Sequence, residues 1–508
     1  MKNILNRNVP ENYGFKPFIG ANETVKNTER VLIEETISTN TEKKIDSLKE
    51  VFDVLGIKDG MTLSFHHHMR NGDYVLNMVM AEVKERGLKD LTLAPSSIFP
   101  SQEPLVELIE NGTVTNIYTN YINGPVAKAI SAGKLQGKFV MNTHGGRPRA
   151  IESGELPIDV AFVAVPTSDI NGNGNGMYGP SACGVLGYAI PDVMYAKKVV
   201  VITDNLVDEV DYKEIDGKYV DYVLVVDKIG DAKGIVSGTT KVTRDPIGLL
   251  IARNTAQLLD ELGMIKNGMS FQTGAGGTSL AVADEVKKIM VERGIKGSFA
   301  SGGITGYFTS MLEEGLFEYL EDVQCFDLDA IESFKNDRRH KMMSSSKYGN
   351  PYDPEVVVNG LDFVILGATE IDKNFNVNVT TGSDGSLMGG SGGHSDTAYG
   401  AKVTVITTNL MKSRTPIVKE SVTTCTTPGE TVDVLVTERG IAINPLRTDL
   451  LEKVKDSKLN IMTMEELMAL CYKYTGVPQE VKRSEEVIGA VMYRDGTIID
   501  TLYKVEEK

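Results

Sequence analysis

Hydrophobic and polar positions along this chain follow two signatures, short apolar runs and apolar residues at helical spacing, and the two alternate. Thr62-Leu63-Ser64-Phe65 reads as a strand, and after Asp73 the residues Val75, Met78, Val79 and Val83 recur at helical spacing until Gly87 stops them. Leu91-Thr92-Leu93-Ala94 is the next strand. A strand, turn, helix, strand order implies parallel strands joined by a right-handed crossover. Further on, Val160-Ala161-Phe162-Val163-Ala164-Val165 and Phe363-Val364-Ile365-Leu366 are continuous apolar runs, each preceded by an aspartate (Asp159, Asp362). Runs of this length suit parallel strands covered on both faces.

The pattern also repeats at long range. Ile57-Lys58-Asp59-Gly60-Met61 returns as Ile265-Lys266-Asn267-Gly268-Met269, Glu85-Arg86-Gly87 as Glu292-Arg293-Gly294, and the apolar run ending in Asn205-Leu206 as the one ending in Asn409-Leu410. Solenoid units span about 20 to 50 residues, whereas this period, just over two hundred, is the size of an α/β domain. The second copy predicts a strand over 269–272, Thr278 or Ser279 as N-cap, a helix to Arg293 stopped by Gly294, and a strand over 298–300. The fold expected is therefore α/β, two duplicated domains with mainly parallel sheets. An extension over 1–50, ending in a charged helical stretch, wraps the first domain or a neighbouring subunit. The domains are expected over 51–240 and 241–508, joined between Ile215 and Asp245-Pro246. A ligand site is expected between the copies.

Composition narrows the function. The 508 residues are 41% hydrophobic and 24% charged, ordinary for two globular cores. A formal net charge of -16 without a dense Lys/Arg run argues against nucleic acid, so an anionic substrate needs a local basic pocket. Four scattered cysteines without a CxxC pair suit a reducing compartment. With no apolar segment after Met1 to Arg7 and no membrane-length apolar run, a soluble, cytoplasmic protein is expected.

Glycine loops carry most of the candidate chemistry. Asn171 to Gly176 and Gly382 to Gly393 follow the two buried runs, where ligands of open α/β sheets sit. Gly389-Gly390-Ser391-Gly392-Gly393-His394-Ser395-Asp396 can turn successive amides toward one anionic atom, which favours a site loop over a flexible surface loop. It also matches a Gly-x-Ser-x-Gly nucleophile elbow, but His394 is the last histidine and leaves no downstream partner. Gly274-Ala275-Gly276-Gly277 joins a strand to a helix, a place for an anion, yet Ser279 replaces the third glycine of a dinucleotide fingerprint. His66-His67-His68 lacks further ligands at metal spacing and suits hydrogen bonding or carboxylate binding in a cleft, with a structural role as the alternative and no metal expected. Arg147 and Arg149, beside His144, are a candidate carboxylate or phosphate fork, with surface salt bridges as the alternative. The run from Lys335 to Lys341 reads the same way.

On Phe65-His66-His67-His68, Gly274 to Gly277, Ser301-Gly302-Gly303-Ile304-Thr305-Gly306, Phe326-Asp327 with Glu332 to Lys335, and Gly389 to Asp396, the chain resembles the citrate lyase alpha subunits of the coenzyme A transferase superfamily. The resemblance covers nearly the whole chain. It implies exchange of acetyl for citryl on a phosphopantetheine thiol held by a partner carrier protein. No tightly bound cofactor is implied, and acetyl-coenzyme A would serve as surrogate. It further implies an oligomer working with a lyase (beta) and a carrier (gamma) subunit.

Many superfamily relatives attack the thioester with a glutamate, a position that aligns near Ser301 here. Without that carboxylate, citrate itself must attack, giving a mixed anhydride that the released thiolate then opens. Gly389, Gly390, Gly392 and Gly393 are then the expected oxyanion donors. His66, His67, His68, Arg147, Arg149, Gly274, Gly276, Gly277, Ser301 and His394 are the expected substrate contacts. Glu313 and Glu314 are the alternative nucleophiles. A transferase acting on malonate or another carboxylate, or a non-catalytic scaffold subunit, are the competing readings.

Overall fold

The apolar runs that follow Asp159 and Asp362 form fully buried strands, Val160–Ala164 and Phe363–Leu366, in the middle of two separate sheets. The aspartates have matching duties: Asp159 Oδ2 accepts the Thr62 amide at 2.8 Å and Asp362 Oδ2 the Ser270 amide at 3.0 Å. Each carboxylate thus anchors the start of the neighbouring strand. The structure is a computed structural model and describes residues 1–23, 31–236, 241–274, 276–479 and 483–506.

The duplication appears in the strand order. In the first sheet Lys198–Thr203, Val160–Ala164, Thr62–Phe65, Leu91–Pro95, Val114–Thr119 and Phe139–Met141 lie side by side. In the second the equivalent order is Val403–Thr407, Phe363–Leu366, Ser270–Thr273, Gly297–Ile304, Phe317–Cys325 and His340–Met342. All these pairings are parallel. The order reverses between 62–65 and 160–164, and again between 270–273 and 363–366, so each domain has a switch point where a crevice opens beyond the strand ends. The expected helices form, Val75–Glu85 and Gly277–Arg293, the latter ended by Gly294 at φ 65° but capped by Gly276, with Thr278 and Ser279 inside the first turn rather than at the N-cap.

The expected domain limits need one correction. Residues 487–503 do not belong to the second sheet: Val487–Met492 pairs with Phe139–Met141 and Ile498–Tyr503 closes the edge of the first sheet, which has ten strands among the described residues. The N-terminal segment covers this hairpin, with Asn3 Nδ2 donating to the Ile499 carbonyl at 2.7 Å and Phe18 packed edge-on against Tyr493 at 4.9 Å. Burial of an otherwise open sheet edge explains the return of the chain. The charged stretch ending the extension is the helix Leu48–Leu55. The expected boundary at 240 falls in 237–240, outside the described residues.

The domains are bolted together through polar contacts. Asp396 of the second accepts Thr143 Oγ1 at 3.0 Å and the Gly145 amide at 2.9 Å from the first, and Arg494 Nη2 donates to the Gly349 carbonyl at 2.9 Å. The 335–341 run works here as well: Lys335 lies over Tyr178 and Arg338 over Tyr212, so these cations brace one domain on aromatic rings of the other. Among the described residues no helix is long and apolar enough to cross a membrane.

Candidate functional site

The two switch points face each other across a cavity of about 390 Å³. Its walls are segments that leave strand ends: His67 and Arg70 after 62–65, Ser97 after 91–95, Tyr121 after 114–119 and His144 after 139–141. The second domain supplies Gly274 after 270–273, Gln324 and Phe326 from the end of 317–325, and Gly367 to Thr369 after 363–366. Among the described residues no aspartate or glutamate lines it, and Arg70 is the one Lys or Arg that does.

The histidines that reach the cavity are neutral hydrogen-bond donors. His67 Nδ1 lies 2.5 Å from Ser96 Oγ, which also accepts the His67 amide, so the hydroxyl donates to Nδ1 and leaves Nε2–H free. Asn120 Nδ2 donates to His144 Nδ1 at 3.1 Å, which gives His144 the same tautomer. Burial holds the His67 imidazole well below its usual pKa, with the neighbouring His144 and His68 adding to the effect, and burial brings His144 down to about 3. Tyr188 packs against both rings, at 4.7 and 4.6 Å. His394 is held at both ends, Nε2 on the Gly367 carbonyl at 3.0 Å and Nδ1 on Thr427 Oγ1 at 2.8 Å. It braces two loops and has no ring nitrogen left for a ligand.

The glycine-rich loop of the second domain docks edge-on to the first. Gly392 donates to the Asn120 carbonyl at 3.2 Å and accepts the His144 amide at 2.8 Å, while Gly389 accepts the Ile122 amide at 3.2 Å. The amides of Gly390, Ser391 and Gly393, all on the cavity wall, have no partner among the described residues. Glycine is required by close packing: a Cβ on Gly390 would meet the Asn120 carbonyl at 2.4 Å, and one on Gly393 the Tyr348 hydroxyl at 2.2 Å. Gln272 Nε2 donates to that hydroxyl at 2.9 Å.

A buried network holds the far wall. Asp322, fully buried, accepts from Cys325 Sγ at 3.1 Å, bonds His340 Nε2 at 3.0 Å and takes the Gln324 amide at 2.8 Å, and His340 Nδ1 meets Ser333 Oγ at 3.1 Å. Asp322, Cys325 and His340 are the described residues clustered closely enough to hold a metal ion, but they already saturate one another. Their effect is to place Gln324, whose Nε2 crosses to the His67 carbonyl at 2.9 Å.

The sequence model of the family described as citrate lyase, alpha subunit (CitF), matches residues 41–505. The chain belongs to the citrate lyase alpha subunit family. It is 46% identical over 466 residues to the citrate lyase alpha chain of Haemophilus influenzae, covering 92% of this chain and 93% of that one. The alpha chain of Klebsiella pneumoniae is 45% identical over 471 residues, with the same coverage. A Streptococcus mutans structure described as the alpha subunit of citrate lyase in complex with citrate superposes with a TM-score of 0.94 at 42% identity, covering 100% of each chain. The alpha subunit of an Acinetobacter baumannii malonate decarboxylase shares the fold, with a TM-score of 0.63 at 16% identity over 87% of this chain and 85% of that one.

Within this citrate lyase alpha fold the expected site residues divide. His67, Gly274, Gly390, Gly392, Gly393 and His394 line the cavity. Arg147 does not: fully buried, it forks onto Asp192 at 2.6 and 2.7 Å and donates to the Ala94 carbonyl at 2.7 Å. Arg149 forks onto Glu155 at 2.5 and 3.1 Å and lines a separate cavity beside Gly496. Internal carboxylates thus occupy both guanidinium groups. His66 and His68 stack on each other inside the first domain, 5.9 Å apart, because side chains alternate along the segment and His67 takes the cavity side. Gly389 lies behind the loop, against the Val379 carbonyl, and Gly392 has already donated its amide. Gly276 is the N-cap of the helix Gly277–Arg293 and Gly277 packs under Lys241, so neither reaches the cavity, and Ala275 lies outside the described residues. Ser301 is buried in its strand with an unpartnered hydroxyl, and a register shift at Gly302, φ 109°, brings Gly303 to the wall instead. Glu313 and Glu314 end a helix away from the cavity, Glu314 paired with Lys287 at 2.6 Å.

Arg70 escaped the sequence reading. It follows the histidine run in Met69-Arg70-Asn71-Gly72, a lone cation without the paired pattern that drew attention to Arg147 and Arg149.

Proposed function

We propose that this chain exchanges acetyl for citryl on the phosphopantetheine thiol of a carrier protein, releasing acetate and leaving citryl-carrier for a separate lyase subunit to cleave. A cavity that combines free amides and neutral imidazole donors, with no carboxylate among its described lining residues, carries the reading, together with family membership. With no enzyme carboxylate at hand, a carboxylate oxygen of citrate attacks the acetyl thioester carbonyl. The C–S bond breaks and the thiolate leaves, forming an acetyl-citryl anhydride. The thiolate then attacks the citryl carbonyl and acetate departs, so the enzyme gains and loses no proton or electron.

Both tetrahedral states carry an oxyanion. The amides of Gly390, Ser391 and Gly393 and the Nε2–H groups of His67 and His144 are the preset donors for it. Neutral imidazoles suit this task because they stabilise charge without trapping the thiolate as an ion pair. The wall formed by Leu366, Gly367 and Ala368 is apolar or backbone and suits the uncharged end of the thioester arm. The chain works as one subunit of a multi-subunit assembly with lyase and carrier subunits, and carries no tightly bound cofactor of its own. Incubation of the chain with acetyl-coenzyme A and labelled citrate is expected to give labelled citryl-coenzyme A and free acetate. Exchange onto malonate in preference to citrate, or binding of partners without any exchange, would overturn the reading.

A further inference from the structure

Outside the amide and imidazole donors, the cavity holds one group that the exchange chemistry leaves unexplained. Arg70 lies between two aromatic rings, 5.3 Å from the centroid of Phe99 in the first domain and 5.1 Å from that of Phe326 in the second. Its Nη1 is buried without a partner, and its side chain makes no ion pair or hydrogen bond among the described residues. A half-buried guanidinium left without an ion pair is a costly arrangement unless an anion completes it. Burial duly pulls Arg70 below its ordinary pKa, and the nearby phenols of Tyr121 and Tyr188 only partly offset this.

The backbone shows that the placement is imposed. Arg70 has φ 52°, a conformation that a residue with a side chain adopts only when its surroundings enforce it. The enforcing element is the connection between the domains. Gly72, two residues on, is pressed so closely on the Asp231 carbonyl that a Cβ there would lie at 1.9 Å, and the Asp231 amide returns a hydrogen bond to the Gly72 carbonyl at 2.8 Å. Gly230 packs on Met69 from the other side. The second domain contributes Phe326, and Gly303 makes room for it, since a Cβ at Gly303 would stand 2.2 Å from that ring. Both domains and their connection therefore converge on one cation.

We propose that Arg70 is the residue that pairs a non-reacting carboxylate of the acceptor acid, and so selects polycarboxylates over monocarboxylates. This rests on the exchange reading above and names the acceptor seat within that site. The thioester brings no charge to the reacting end, so a cation there has no task toward the donor. A citrate ion that attacks through one carboxylate has two more to place, and a guanidinium edge between two rings offers a two-point fork to one of them. The seat is complete only when both domains are in place.

The test uses the full-length chain with acetyl-coenzyme A as donor and either labelled citrate or labelled acetate as acceptor, the label reporting the otherwise degenerate acetate exchange. Calorimetric citrate binding and thermal melts run alongside. Arg70→Gln is expected to raise the citrate KM on the order of a hundredfold, the scale for loss of one partner of a buried charge pair. The KM values for acetyl-coenzyme A and for acetate should stay within about twofold. Should Arg70→Gln fail to fold, Arg70→Lys, which keeps the charge but cannot fork, is read in the same way. Parent-like citrate saturation in a folded variant overturns the proposal while leaving the exchange reading standing. A parent chain that binds citrate but exchanges no acyl group overturns the exchange reading, and the calorimetric loss in the variant then still decides the role of Arg70.

Discussion

Gly393→Ala isolates the contribution of the glycine loop, because Gly393 has φ -91° and ψ 6° and an alanine there meets no backbone strain. What it meets is Tyr348: the new Cβ would stand 2.2 Å from the hydroxyl, 3.0 Å from Cζ and 3.1 Å from Cε1. Non-bonded carbon contacts prefer about 3.5 Å or more, so ring or loop must shift by about 1 Å. Tyr348 is fully buried and tied to Gln272, which directs the shift into the loop and its amides. Loss of one oxyanion donor is worth about 3 kcal/mol, on the order of a hundredfold in kcat. Tyr348→Phe removes the nearest atom and leaves a shortfall of about 0.5 Å. The double variant should therefore regain at least about tenfold over Gly393→Ala, a coupling of the kind expected for residues in contact. The assay is acetyl transfer from acetyl-coenzyme A to labelled citrate, with kcat and both KM values, beside melting curves. Parent kcat in a folded Gly393→Ala variant, or no recovery in the double variant, would show that the loop does not supply the donors.

Three further outcomes follow from the geometry. Arg147→Met should leave Asp192 buried without its partner and lower stability by about 3–5 kcal/mol, read as a fall in Tm, with the citrate KM of the folded fraction unchanged. Adding Asp192→Leu should recover most of the loss. Glu313→Gln and Glu314→Gln should keep parent turnover, kinetics should show a ternary complex, and borohydride with acetyl-coenzyme A should not inactivate. Ping-pong kinetics with a mass change on a glutamate would refute direct attack. Burial lowers His66 from 6.5 to about 4, so between those values the unfolded chain binds the proton that the folded one refuses. Stability from this group is intact above pH 6.5 and falls with acidification at up to about 1.4 kcal/mol per unit. His66→Leu removes that term, and its Tm relative to the parent should rise as pH drops from 7 to 5. A pH-independent difference would show that His66 is not buried neutral.

The duplication, the parallel α/β class and the place of the 389–396 loop at a strand end were legible because each has a local signature: a repeated string, a continuous apolar run, a density of glycine. The same local signals mislead where a partner distant in sequence decides. Arg147 and Arg149 look like an anion fork until the fold brings Asp192 and Glu155 to them. Gly392 looks like an amide donor until the first domain is docked against it and the Asn120 carbonyl takes its N–H, and Gly389 until the loop turns it away from the cavity. That the C-terminal hairpin around Asp495-Gly496 completes the first sheet depends on an open edge at Phe139–Met141, which no nearby residue reports. Arg70 is the opposite case, a lone arginine with no motif around it. The fold half-buries it, sets it between rings from two domains and leaves it without a carboxylate partner among the described residues, since charge pairing is decided by what the fold brings within a few ångströms. Local pattern sets the repeated architecture and the loops that end its strands, because backbone conformation and burial follow from neighbouring residues; which charged groups are left without an internal partner is settled by packing.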